Sequence, residues 1–216
     1  MKTILAYGDS ITYGANPVMG GPRLAFEHRW PSVLEAGLGG QARVIAEGLG
    51  GRTTVHDDWS SDGDRNGARL LPTLLLSHKP LDMVVIMLGT NDLKPFHGGT
   101  ALEASLGMRR LVHIVRGHFA QQNEAQPEII IVSPPHLAPT KVHPWMMDHF
   151  GQDRAITQSK LLAAQYRARA DELGTGYFDA STVAQPDPND GVHLDARNTR
   201  AIGEGLVPVV KTLLGL

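Results

Sequence analysis

The chain has 216 residues, a formal net charge of -2 and no cysteine. That length suits one medium domain. The near-neutral charge gives no broad pull toward nucleic acid or an anionic membrane, and the missing thiols exclude disulfides, thiolate nucleophiles and cysteine-ligated metal. No apolar run is long enough to span a bilayer. The strand-like run that starts at Lys2 is too short for a signal peptide. The expectation is therefore a soluble, cytoplasmic protein with a single domain over residues 1–216 and no nucleic-acid or membrane partner.

Ile4 to Tyr7 reads as a short buried strand, and Gly8-Asp9-Ser10 forces a sharp exit from it. Residues Gly14 to Arg23 carry Pro17, Gly20, Gly21 and Pro22 and read as an irregular loop. Helical spacing runs from Leu24 to Leu38, with Pro31 placing the true start at the first helical position and Gly39-Gly40 ending it. Ala42 to Ala46 is a second strand. The glycines at 48, 50 and 51 then allow a tight backbone whose N–H groups approach a ligand closely. Asp57, Asp58, Asp62 and Asp64 suggest a solvated acidic loop. Asn66 to His78 reads as a helix that Pro72 should kink or delay.

Leu81 to Leu88 is a nearly continuous apolar run, as in the centre of a parallel sheet. It ends in Gly89-Thr90-Asn91-Asp92. Thr100 to Phe119 is amphipathic, and Thr100 with Glu103 forms a capping box. Glu128 to Val132 is a fourth strand. Leu137 to Phe150 reads as a proline-marked insertion with much large apolar surface, either a flap on its own body or a subunit contact. Ala155 to Leu173 is helical and Gly176 to Asp179 is a last strand. Asp195 caps a final helix, Ala196 to Leu213, which Pro208 should break. The alternation implies an α/β fold, a three-layer α/β/α sandwich with a five-stranded parallel sheet. The glycine turns lack both the GxGxxG spacing and a Gly-Lys-Ser/Thr ending, so nucleotide binding is a poor fit.

In such a sheet the strand ends converge on one rim, where active sites of open α/β sheets lie. The first end offers Asp9 and Ser10, the second Gly50 and Gly51, the third Asn91 and Asp92. After the last strand comes Asp190-Gly191-Val192-His193. Serine, histidine and aspartate are the residue types of a nucleophilic triad. His193 is placed to take the Ser10 proton, and Asp190 to orient the imidazole. The Ser10 N–H, a Gly50 or Gly51 N–H and the Asn91 amide are candidate oxyanion donors. The plainer reading makes Ser10 a helix cap and Asn91 a turn former. Asp9 and Asp92 fit supporting hydrogen-bond roles, and Arg52 fits a brace for the glycine loop. No cofactor is required. His136, His143 and His149 do not have the H-E-x-x-H spacing, and the acidic loop lacks the terminal glutamate of a calcium loop, so no metal is expected. Trp59, Phe96, Leu137, Trp145, Met146, Met147 and Val192 are candidates for lining the substrate pocket. Their bulk points to a small acyl group.

Gly8-Asp9-Ser10, the Gly48 to Gly51 loop, Gly89-Thr90-Asn91-Asp92 and Asp190-Gly191-Val192-His193 stand in the order of the four blocks of the SGNH subgroup of GDSL hydrolases, which the chain resembles over nearly its whole length. The resemblance implies a flavodoxin-like SGNH hydrolase fold, with Ser10 as nucleophile, His193 as base, Asp190 as its acid, and Gly51 and Asn91 as oxyanion donors beside Ser10. The wording GDSITYG, EGLGGRTT and IMLGTND is similar to the mycobacterial and rhizobial arylesterase/acyltransferase group, although Tyr13-Gly14-Ala15 stands where that group often has tryptophan-rich sequence. That likeness implies short acyl esters as substrates, acyl transfer to alcohols, and a homo-oligomer, an octamer in that group. Carbohydrate deacetylase, thioesterase and lysophospholipase activities use the same kind of site, and a non-catalytic binding module is the rival of another class. The Gly-x-Ser-x-Gly elbow of α/β-hydrolases is absent.

Overall fold

The computed structural model describes residues 1–140 and 142–216. Five parallel strands form one sheet: β1 (Lys2–Gly8), β2 (Ala42–Gly48), β3 (Met83–Met87), β4 (Glu128–Ser133) and β5 (Gly176–Asp179), in the order β2-β1-β3-β4-β5. The helices are α1 (Ser10–Tyr13), α2 (Trp30–Gly37), α3 (Gly67–His78), α4 (Ala101–Gln121), α5 (Pro144–Phe150), α6 (Asp153–Leu173) and α7 (Ala196–Leu214). This is the α/β/α sandwich expected from the alternation of elements.

Strand side chains alternate between the two faces of the sheet, and the alternation divides the core in two. Ile4, Ala6, Met83, Val85, Ile130 and Val132 pack with Trp30, Leu34, Ile202 and Leu206 of α2 and α7. Leu5, Tyr7, Val84, Ile86, Ile129 and Ile131 face the other way, onto Leu71, Leu75, Leu111, Val115, Leu162 and Tyr166 of α3, α4 and α6. Every residue of β3 is buried, which is why its sequence is apolar without alternation.

The chain crosses from β1 to β2 at one edge and from β3 toward β4 and β5 at the other. The order therefore reverses between β1 and β3, and the crevice of such a sheet lies beyond the carboxyl ends of those two strands. Ser10 follows β1 and Asn91 follows β3.

Pro72 does not delay its helix and Pro208 does not break its own. α3 runs through Pro72, and α7 runs through Pro208. Each proline removes one helical N–H donor, but buried apolar residues on both sides hold the helices to the sheet: Leu71 and Leu75 in α3, Leu206 and Val210 in α7. Thr100 caps α4, its Oγ1 accepting the Glu103 N–H at 3.2 Å, while its hydroxyl donates to Glu103 Oε2 at 2.8 Å. The insertion at 137–150 is not all loop. Apart from residue 141, which lies outside the described residues, it enters through a stretch without regular structure and ends in α5, with Met147 and Phe150 turned into the core. The acidic loop is also less solvated than its composition suggests. Asp58 is buried against Arg65 Nη1 at 2.6 Å, and Asp57 and Asp64 both pair with Arg69.

Candidate active site

The turn after β1 is fixed by its own side chain. Asp9 caps α1 by accepting the Ile11 N–H at 2.9 Å, and Ser10 opens the one-turn helix that follows. That turn lies directly on the end of β2. A Cβ added to Gly48 would sit 2.2 Å from the Tyr13 nitrogen and 2.6 Å from the Thr12 carbonyl carbon. Only glycine allows the two strand ends to approach this closely.

Ser10 and His193 are 183 residues apart in sequence, yet Ser10 Oγ lies 2.9 Å from His193 Nε2. On the far side of the ring, His193 Nδ1 lies 2.5 Å from Asp190 Oδ2. The other Asp190 oxygen accepts the N–H groups of Val192 and His193 at 2.9 and 2.8 Å. The Asp190-Gly191-Val192-His193 turn thus binds its own acid. Burial alone would raise that carboxyl, but the His193 and backbone bonds outweigh it and hold Asp190 below the ordinary carboxylate value. Asp190 fixes the ring and Ser10 meets its free nitrogen, an arrangement able to pass a proton from hydroxyl to imidazole.

Arg52, Asp92 and Asn91 tie the remaining strand ends together. The buried Arg52 donates to the Gly8 carbonyl at 2.8 Å and to the Glu47 carbonyl, with its guanidinium 4.3 Å from the centre of the Tyr7 ring. It braces the ends of β1 and β2. Asp92 is fully buried and accepts the Thr54 N–H at 3.1 Å as well as the Thr54 hydroxyl, which anchors the glycine loop to the turn after β3. Asn91 Nδ2 donates to the Arg52 carbonyl at 3.1 Å, and Asp9 Oδ2 lies 3.4 Å away, longer than an ordinary N–H···O bond. Burial pushes the Asp9 carboxyl up to about 6, against the pull of the Ile11 N–H, His193 and Arg52. Gly51 has a φ of +80°. Among the described residues, neither the Gly51 nor the Ser10 N–H donates to another protein group.

Ser10, Gly50, Gly51, Asn91 and His193 border one cavity of about 580 Å³, a volume typical of small-molecule sites. Trp145, Met146 and Val192 line it, as the sequence suggested. The four other proposed lining residues, Trp59, Phe96, Leu137 and the core residue Met147, are elsewhere. Trp59 is 88% exposed on the acidic loop and borders a separate depression with Asp57 and Arg69. Phe96 is exposed and stacks against His97 and His149 outside the lining. Leu137 is buried in the core with Met147, and its N–H donates to Ser159. The cavity also takes in Tyr13, Arg65, Lys94 and His149, none of which the sequence reading proposed as lining. Lys94 stands three residues after Asn91, just beyond the Gly89–Asp92 block. Among the described residues, no group of three or more histidine or acidic side chains is placed to hold a metal ion.

A model of the GDSL-like lipase/acylhydrolase family matches residues 6–199. The chain belongs to that family and is a carboxylic ester hydrolase. Among solved structures it is similar to a carbohydrate acetylesterase family member from Sinorhizobium meliloti, with 54% identity, full coverage of both chains and a TM-score of 0.95. The native aryl esterase of M. smegmatis is 40% identical over 99% of this chain and all of the other, with a TM-score of 0.92. A second S. meliloti carbohydrate acetylesterase is 37% identical over 99% of this chain and all of the other, with a TM-score of 0.91. No curated protein matches the chain. Among the described residues, no helix is long and apolar enough to cross a membrane.

Proposed function

We propose that the protein is a serine esterase of the arylesterase type, cleaving short-chain acyl esters through an acyl-enzyme on Ser10. The observation that carries this reading is the unbroken run from Ser10 Oγ through the His193 ring to Asp190. His193 takes the hydroxyl proton as Ser10 attacks the acyl carbonyl, while Asp190 keeps the ring in the right tautomer and steadies the imidazolium. The Ser10 and Gly51 N–H groups and the Asn91 amide hydrogen not taken by Arg52 receive the oxyanion. His193 then passes its proton to the leaving alcohol or phenol. Water, activated by the same imidazole, releases the acid, and an alcohol in its place gives acyl transfer.

The apolar side of the cavity, with Trp145, Met146 and Val192, favours an aromatic leaving group and a short acyl chain. A second reading is a carbohydrate O-acetylesterase, favoured by the name of the relative at 54% identity. A panel of phenyl and sugar acetates and longer phenyl esters separates the two. Labelling of Ser10 by an organophosphonate, read by mass spectrometry, tests the shared mechanism. Ser10→Ala should lower kcat on phenyl acetate by on the order of 10⁴-fold or more, and a variant that kept its rate would remove the assignment. The exposed Trp145 on the 137–150 segment supports a homo-oligomer contact, which a monomeric mass in solution would exclude.

A further inference from the structure

The cavity beside Ser10 has an uneven charge. Arg65 and Lys94 both line it, and no aspartate or glutamate does. Arg65 is neutralised by Asp58 at 2.6 Å. Lys94 is not neutralised by anything comparable. It lies in the turn after Asn91, its N–H donating to the Asn91 carbonyl at 3.2 Å. It is 4% exposed. Its ammonium makes no ion pair or hydrogen bond among the described residues, and it lies over the Phe150 ring, with the centroid 5.3 Å from Nζ.

The charged and titratable groups facing Lys94 are Arg65 and Asp58 from the acidic loop, Asp9 after β1, Asp92 on its own turn, His97 just beyond that turn, and His149 on α5. The carboxylates among them are committed elsewhere. Asp58 binds Arg65 and Ser60, Asp9 caps α1, and Asp92 holds Thr54. Burying an ammonium without a partner is costly, and a lysine whose only task was to pack on Phe150 would be served as well by methionine. A pocket wall that keeps one unmatched positive charge is suited to a ligand that brings the negative one.

We propose that Lys94, backed by Arg65, is a specificity residue for esters carrying a carboxylate on the acyl or the alcohol part, the carboxylate docking on the ammonium while Ser10 attacks the ester carbonyl. This rests on the reading of the cavity as the ester site. The buried amine, with its proton affinity lowered to about 8 by desolvation and by the nearby Arg65, gives the preference a pH limit. The carboxylate is favoured while Lys94 is protonated, and the preference fades as pH rises through that value.

The test uses two matched pairs: phenyl acetate against 4-acetoxybenzoate, and phenyl valerate against monophenyl glutarate. The first pair puts the carboxylate on the leaving group and the second puts it on the acyl chain. In the unaltered protein the ratio of kcat/KM, charged over neutral, should fall with added salt and with rising pH across 8 in at least one pair. Lys94→Met should lower that ratio by about tenfold or more, mainly through KM, and Lys94→Arg should keep most of it at high pH. A ratio that is the same in the unaltered protein and in Lys94→Met for both pairs overturns the proposal, as does an equal loss on both members of each pair. If Lys94→Met fails to fold, the salt and pH dependence of the unaltered protein decides, and a flat ratio overturns it. The esterase reading fails by a different sign, namely Ser10→Ala turning over the neutral esters at the original rate.

Discussion

Behind the strand-end wall of the cavity, buried side chains are hydrogen-bonded to the neighbouring turns, whereas the wall formed by α5 presents exposed rings. On and behind the first wall, Asn91 and the supporting Asp9, Arg52, Asp92 and Asp190 are all below 5% exposed, and each holds a neighbouring strand end or turn through hydrogen bonds. On the second, Trp145 is 49% exposed, His149 is exposed, and their contacts are ring against ring. A buried, hydrogen-bonded network has few low-energy arrangements and loses much when a member is removed. An exposed aromatic rim can shift at small cost. Chemistry that needs placement within a few tenths of an ångström belongs on the first wall, and choice of substrate belongs on the second.

Substitutions on the first wall should be felt in kcat. Asn91→Ala removes a candidate oxyanion donor and the bond to the Arg52 carbonyl. kcat on phenyl acetate should fall by about 10²–10³-fold, on the order of 3 kcal/mol, with KM changed far less. A loss confined to KM would mean that Asn91 serves the ground state only. Gly48→Ala tests the scaffold rather than the donors. The added methyl meets backbone atoms of Thr12 and Tyr13, which cannot swing aside as a side chain can. The expected cost is about 2–3 kcal/mol of stability in urea titration, and the activity that remains should be impaired because the Ser10 turn is displaced.

The second wall should answer differently. Trp145→Ala removes an aromatic face of the cavity without opening the core. KM for phenyl esters should rise by up to about tenfold, kcat should hold within about twofold, and the melting temperature should barely move, as for most surface substitutions. A large drop in stability would show that α5 is fastened as firmly as the strand ends, and would erase the contrast.

The sequence showed the first wall far more clearly than the second. The apolar run at 83–87 announces its strand because burial on both faces leaves no choice of residue type. The polar blocks after β1 and β3 follow such runs, so topology alone brings them to one rim. Nothing in the apolar pattern of 137–150 says which way a side chain turns. Leu137 points into the core and Trp145 into the cavity, although both are large and apolar. Trp59 misleads in the same way, because an aromatic on a loop carries no period from which to read its direction. Lys94 was hidden for another reason. Lysine is the residue least expected inside, and only the packing of Phe150 and the turn after Asn91 reveals that this one is buried.

Acid titration separates the two walls by their ionisable groups. Asp9 is pushed up to about 6 by burial, well above the usual value near 3.9 for an unfolded chain. A carboxyl raised in the folded state holds its proton more tightly than the unfolded chain does. Its contribution to stability is therefore complete below the unfolded value and is lost as pH rises through about 6. Between pH 7.5 and pH 5 this one group should add on the order of 1 kcal/mol to the free energy of unfolding. Asp92, raised by burial as well, acts in the same direction, while Asp190 is held low by His193 and acts in the opposite one. Asp9→Asn removes only the first term. Urea titrations at both pH values should show the gain on acidification smaller in Asp9→Asn than in the unaltered protein by about that amount. Trp145→Ala should leave the gain as it was, since no ionisable group is lost. An identical pH dependence in the Asp9→Asn and unaltered proteins would mean that Asp9 is solvated enough to ionise normally, and that the strand-end wall is wetter than its packing implies.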